Sequence, residues 1–259
     1  MILKLDMHVH GEDSFDSVQT IDDIVKECRK KGLDGVCICN HNITTYTGIT
    51  VYDGVLVLPG VEIATEYGHL LGYLVESKVE PTRTFGEAVK RIKAAHGLAV
   101  LARPYERKRD TRECVGRRIA DNIGVLDGLE CENARAAQFV KDANRLARTA
   151  AMINRMRTFG GSDAHLTREV GGAYTEFEVD CDSIDKLTAD LLRQALLGNG
   201  ANAVMARESA RINTAKSQYI RMKKINANAK KWMKYALFAV KCIAYDVADA
   251  VRPMRGKEK

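Results

Sequence analysis

A chain of 259 residues, 46% apolar and with no window of about 18 consecutive apolar residues, can bury one large core or two smaller ones and excludes a membrane-spanning helix. The start, MILKLDMHVHG, meets charge before a signal-like apolar core forms, and the seven cysteines are scattered without a C-x-x-C pair, so a reduced, cytoplasmic protein with no membrane partner is expected. The formal charge of +6 is uneven: residues 207–259 carry 14 Lys+Arg against 4 Asp+Glu, leaving 26 against 30 in residues 1–206, so the basicity belongs to the tail and is weak evidence for a nucleic-acid groove in the main domain.

In chain order, LKLDMHV predicts a strand, TIDDIVKECRKKG a helix with Thr20 as N-cap and Gly32 as stop, and DGVCICNHN the next strand. GVLVLPGVEIAT and HLLGYLV follow as strands, TFGEAVKRIKAAHG as a helix, LAVLARP and GVLDGLECEN as strands, and FVKDANRLARTAAMI as a helix. MRTFGGSDAH is a last strand and turn before the helix SIDKLTADLLRQALLGNG. Strands alternating with helices imply an α/β fold with a parallel sheet and crossover helices, open or closed into a barrel. His10, His41, Glu62, Arg103, Asn133 and Asp163 each fall at or just past the C-terminal end of a predicted strand, the end where α/β barrels gather their chemistry.

Residues 207–251 follow a 3,4 apolar spacing through Ile212, Ala215, Tyr219, Met222, Asn226, Ala229, Met233, Ala236, Val240, Ile243, Val247 and Ala250, with no Pro or Gly inside. One long helix is expected, in a basic extension 207–259 that follows a domain 1–206. Its stripe would dock on its own domain or on a partner subunit, giving a homo-oligomer, and a coiled-coil seam would use Asn226 to fix register. The last residues, VRPMRGKEK, are expected to fray.

His8 and His10, one residue apart at a strand end, point to one side and can share a divalent cation. Asp16, His41, Glu62, His69, Asp163 and His165 also fall at strand ends or in the turns beside them, whereas His96, in KAAHG, is read as a helix C-terminal residue. Imidazole and carboxylate without cysteine suit Zn, Mn or Fe, and eight candidate ligands suit two or three bridged ions, an arrangement that clamps a phosphate.

DMHVH (6–10), Asp16, NHN (40–42), Glu62 in PGVEI, GHLLGY (68–73), LARP (101–104), LECEN (129–133) and SDAH (162–165) come in the order seen in the PHP family, named for polymerase and histidinol phosphatase, which the chain resembles over residues 5 to about 206. The resemblance implies a distorted (β/α)7 barrel and a metal-dependent phosphoesterase. It implies that His8, His10, Glu62 and Asp163 hold a first ion and Asp16, His41 and His165 another. Glu62 would bridge to a third position that His69 completes. Arg103 stands where many members have a ligating His, and Asn40 where Asp commonly precedes the motif histidine.

Arg103 can grip phosphate oxygens or pair with Glu106 or Glu130. Asn133 is a candidate for orienting substrate or water, while Glu130 and Glu132 are read as supporting or surface groups. The expected reaction is attack on phosphorus by a hydroxide bridging two ions, with His165, His41 or a water as proton donor; His8, His10, Asp163 and His165 form the catalytic set. A phosphorylated small molecule or nucleotide is the expected substrate, and a short nucleic acid a further candidate. The alternatives are a metal-stabilised scaffold acting through the basic helix and a metal-dependent amidohydrolase. YERKRDTRECVGRR (105–118) is a basic stretch placed to cover a polyanion.

Overall fold

The apolar N-terminal run forms β1 (Ile2–Val9), buried throughout from Leu5 onward. The computed structural model describes residues 1–106, 112–138, 140–198 and 200–251, so residues 107–111 of the basic stretch and the tail from residue 252 lie outside the described residues. Helix α1 (Ile21–Lys31) has the expected ends: Thr20 accepts a hydrogen bond from the Asp23 amide, and Gly32 closes the helix at φ 65°. It covers β2 (Gly35–Ile38) with Ile24, Val25 and Cys28.

The sheet is less purely parallel than the alternation implies. β3 (Thr50–Tyr52) and β4 (Val55–Thr65) form a hairpin whose turn residues Asp53 and Gly54 both have positive φ, as a tight primed turn requires. β5 (Gly68–Tyr73) folds straight back on β4, because Glu66-Tyr67 is too short a connection to hold a crossover helix.

Helix α2 (Phe85–Ala94), β6 (Leu98–Leu101), α3 (Arg112–Asn122), β7 (Gly128–Asn133), α4 (Ala143–Ile153) and β8 (Arg157–Gly161) restore the β/α alternation. Two strands absent from the sequence reading, β9 (Ala173–Glu178) and β10 (Asn202–Met205), flank α5 (Ala189–Leu197) and add antiparallel to β1 and to one another.

The strand order β10-β9-β1-β2-β4-β5-β6-β7-β8 curls until β8 returns to β1, giving an almost closed, distorted barrel. Two glycines permit the closure. A Cβ on Gly160 would meet the Tyr174 carbonyl oxygen at 2.3 Å, and one on Gly161 the His8 Cβ at 2.4 Å. Leu3, Leu5, Met7, Leu56, Leu58, Tyr73, Phe159 and Phe177, drawn from strands all round the barrel, pack together as its interior.

A register shift between Asp6 and Val9 then breaks the alternation of β1. Val9 packs outward with α1, while His8 and His10 are fully buried at the mouth.

The single long helix expected over 207–251 is two helices, α6 (Arg211–Lys224) and α7 (Ala229–Val251), packed as a hairpin. The break needs no Pro or Gly. Asn226 adopts φ 47°, which Asn tolerates better than most residues, while the Ala227 amide bonds back to the Met222 carbonyl. Asn228 Oδ1 then accepts the Lys231 amide at 3.1 Å and starts α7. Asn226 therefore ends a helix, and does not fix a coiled-coil register.

Tyr219, Trp232 and Tyr235 cluster between the two helices. Met233, Leu237, Val240 and Val247 of α7 stay exposed. Helix α6 is tied to the barrel mouth: Lys224 Nζ donates to the carbonyls of Glu12, Ser14 and Ser17, and Thr214 Oγ1 donates to Gln138 Oε1 at 2.6 Å. Among the described residues no helix is long and apolar enough to cross a membrane.

Candidate active site

The β1 bulge delivers His8 and His10 to the mouth, and the turn that follows carries Asp16. That turn is pinned from below, where Gln19 Nε2 donates to the carbonyls of His10 (2.6 Å) and Ala164 (2.9 Å). His41 follows β2 and bridges to Glu62. Glu62 lies inside β4, three residues short of its end, because β4 runs on into the hairpin with β5. His69 is the second residue of β5, whose antiparallel course brings its start to the same mouth. Arg103 follows β6, while Asp163 and His165 follow β8; Arg103 and Asp163 both hold positive φ, a strained conformation typical of functional sites.

The side chains at positions 8, 41, 62 and 163 meet in one place. His8 Nε2 lies 3.1 Å from His10 Nε2, 3.5 Å from Glu62 Oε2 and 3.7 Å from Asp163 Oδ1. His10 Nε2 is 3.3 Å from each of those oxygens. A second group adjoins it: Asp16 Oδ2 sits 3.4 Å from His41 Nε2 and 3.3 Å from His165 Nε2, and His41 Nδ1 is 2.9 Å from Glu62 Oε2. Sets His8–His10–Glu62, His10–His41–His165 and His41–Glu62–His69 each bring three ligand atoms within 4.8 Å of one another.

Opposed charges set the protonation states. Burial disfavours a charged His8, yet the carboxylates of Glu130, Asp163 and Glu62 outweigh it and hold its pKa well above the ordinary value. His10 is driven well below, by burial and by the neighbouring imidazoles of His165 and His41. Burial raises Glu62 and Asp163, but Arg103 and the surrounding imidazoles depress both far below the usual carboxylate range.

The donor set fits divalent cations. Glu62 Oε2 and Asp163 Oδ1 are buried without a hydrogen-bond partner, although imidazole nitrogens ring both. Buried anionic oxygens of this kind are satisfied by a cation. His8 also turns Nδ1 onto Glu130 Oε1 at 2.8 Å, which leaves Nε2 facing the cluster, the arrangement that orients metal-ligating histidines. Glu130 is thus a buried support for His8 and not a surface group.

Arg103 is more deeply committed than a phosphate grip would be. Its side chain is 7% exposed and pairs with Asp163, with Glu62 Oε1 at 2.7 Å and with Glu106 Oε2 at 3.1 Å, while Nη2 lies 2.8 Å from His69 Nδ1. The guanidinium thus lies against both Glu62 and His69, which themselves meet at 2.6 Å and are the pair expected to complete a third ion. Asn133 lies apart from the cluster. Its Oδ1 accepts the amides of Arg135 and Ala136, both at 2.9 Å, and so shapes the turn after β7.

A cavity of about 430 Å³ opens on the cluster, and part of its wall is invisible to motif reading: Phe15, Arg135, Gln138, Thr214, Gln218 and Arg221. Arg135 is buried and forked onto Glu169, with Nε 3.0 Å from Oε1 and Nη2 2.5 Å from Oε2. The basic composition of the tail was the one available signal for Arg221. His96 ends α2 at φ 57°, remote from the cluster, as its place in KAAHG implied.

The family model described as PHP-associated matches residues 141–196, which include Asp163 and His165. An uncharacterised protein of Methanocaldococcus jannaschii is 32% identical over 147 residues, covering 51% of this chain and 82% of its own length. Among solved structures, a two-domain protein of Bacteroides vulgatus containing a predicted PHP-like metal-dependent phosphoesterase superposes with TM-score 0.59 at 17% identity, over 85% of this chain and 70% of that one. The lesion-specific endonuclease EndoQ of Pyrococcus furiosus superposes with TM-score 0.53 at 18% identity, over 78% of this chain and 58% of that one. Likeness at such identity speaks to the fold; together with the family model and the ordered motifs at the barrel mouth, it places the chain in the PHP family.

Proposed function

We propose that this chain is a phosphoester hydrolase that works with two divalent cations, Mn, Zn or Fe, and uses Arg103 where a third would sit. The observation that carries this reading is the pair of buried, partnerless oxygens on Glu62 and Asp163, each facing imidazole nitrogens. His8, His10, Glu62 and Asp163 would hold one cation and Asp16, His41 and His165 the other, with Glu62 shared. Cations so held supply Lewis-acid stabilisation of charge building on phosphoryl oxygens and make water nucleophilic near neutral pH.

The imidazoles orient and do not shuttle protons. His165 has Nδ1 2.9 Å from the Asp163 carbonyl and Nε2 facing Asp16, and His41 faces Glu62 and Asp16 with its two nitrogens. We therefore assign the leaving-group proton to water in the cavity, in place of His165 or His41. The cavity suits a sugar phosphate or nucleotide in size. A short nucleic acid is the second substrate of this class, supported by the fold shared with an endonuclease.

Turnover of a panel of phosphomonoesters, nucleotides and short oligonucleotides, with elemental analysis of the protein, tests the reading. Hydrolysis accompanied by two ions per chain supports it. One ion or none without turnover would favour a metal-stabilised scaffold, and turnover of amides or lactones alone an amidohydrolase.

Arg103→His checks the third position separately. Replacing the guanidinium by an imidazole beside Glu62 and His69 is expected to raise the bound metal from two ions to three per chain. A well-folded variant that still binds two would show that Arg103 does not stand in for a cation.

A further inference from the structure

Helix α6 brings to the cavity wall a cation that the metal cluster does not use. Arg103 and Arg135 also line the cavity, but their guanidiniums are neutralised by Glu62, Asp163 and Glu106 and by Glu169 respectively. Among the described residues Arg221 has no carboxylate partner, and its guanidinium carbon rests 4.9 Å over the ring of Phe15. Phe15 in turn stacks on His41 at 4.7 Å and 13°. These two contacts hold the guanidinium within about 10 Å of a cluster imidazole, a span that neighbouring phosphate groups of one substrate can bridge.

Gln218, three residues earlier on α6, lies on the same helix face and lines the same cavity. One residue turn further on, Lys224 clamps the carbonyls of Glu12, Ser14 and Ser17, fixing α6 against the turn that carries both Phe15 and Asp16. The free charge is thus held at a set place relative to the cluster and does not wander on the surface.

We propose that Arg221, with Gln218 beside it, forms an anion subsite for a second phosphate, so that the preferred substrate is a phosphoester carrying another phosphate close to the one cleaved. The inference rests on the hydrolase reading above and supplies its substrate class. The second phosphate can belong to a small bisphosphate or to the adjoining nucleotide of a short single strand. The C-terminal helices then serve the active site of their own chain.

Wild type, Arg221→Ala and Arg221→Lys are compared on an aryl monophosphate, a sugar bisphosphate and a 5′-phosphorylated trinucleotide. Arg221→Ala is expected to raise KM by roughly 10- to 100-fold for whichever substrate carries the second phosphate, as loss of a charge-assisted hydrogen bond does, with kcat within about twofold and the aryl phosphate unaffected. Arg221→Lys should recover part of the loss. An effect confined to the bisphosphate or to the trinucleotide identifies the source of the second phosphate. Equal effects on all three substrates, or none, would overturn the subsite.

Calorimetry with inorganic pyrophosphate on the metal-loaded protein separates this result from the hydrolase reading. If wild type turns over none of the substrates, the hydrolase reading fails by itself, and the subsite stands only if Arg221→Ala still weakens pyrophosphate binding about tenfold or more.

Discussion

Asp163→Asn is expected to lose at least one bound divalent ion and more than about 100-fold in phosphoester turnover while remaining folded. Residues that merely orient a metal ligand are worth 10- to 100-fold, so a ligating carboxylate sets a larger effect. Asp163 gives one oxygen to Arg103 and turns the other, without a hydrogen bond, toward His8, His10 and His165. Asparagine keeps the size and tolerates the φ of 56° that position 163 requires, but it removes the charge that a cation needs. Alanine is the poorer choice, since it strands the buried Arg103, and removing one partner of such a pair costs about 3–5 kcal/mol. Elemental analysis, turnover and a thermal melt on one preparation decide the matter. Full metal content with unchanged turnover would remove Asp163 from the centre and overturn the ligand assignment built on it.

What the sequence disclosed was local and chemical. Helix α1 was legible because an N-cap threonine, acidic residues in the first turn, basic residues in the last and a closing glycine all agree. The residues of the mouth were legible because imidazoles and carboxylates recur where strand-like runs stop. Glu62 was placed at a strand end although β4 continues past it, since a hairpin that prolongs a strand leaves no local mark at the residue where the barrel opens.

Tertiary consequences stayed hidden. β9 pairs with β1 across some 170 residues of chain, and its alternating AYTEFE pattern became meaningful only with that neighbour present. The helix break at Asn226 depends on one residue adopting a left-handed conformation inside an unbroken apolar period. For Arg103 the motif leaves a phosphate grip and a carboxylate pair both open, and only the distances show the guanidinium committed to Glu62, Asp163 and Glu106. Arg135 and Arg221 enter the cavity wall because the last helices return over the mouth, which no motif announces.

Glu169→Ala is expected to produce the largest loss of stability among single substitutions outside the histidine–carboxylate cluster. Its buried carboxylate forks with the Arg135 guanidinium, accepts the amides of His165 at 3.2 Å and Leu166 at 3.1 Å, and receives the Ser209 hydroxyl. It therefore ties the turn after β8, the turn after β7 and the approach to α6 at one point. Truncation leaves a buried guanidinium and several donors unpaired, a cost of about 3–5 kcal/mol, which in a chain of this length lowers Tm by roughly 10 °C.

Burial opposes the charge on Glu169, but Arg135 outweighs it and keeps the pKa below the ordinary 4.5. The contribution is thus present above about pH 4.5 and is lost as pH falls through the depressed folded value, so the melting difference between wild type and variant should shrink in acid. Replacing both partners, with Arg135→Met and Glu169→Leu, should restore much of the stability, because paired removal strands no charge. It should not restore metal content, since the His165 and Leu166 amides would still lack the carboxylate that holds them. If Glu169→Ala melts within about 2 °C of wild type, the pair is not what joins the C-terminal helices to the barrel mouth.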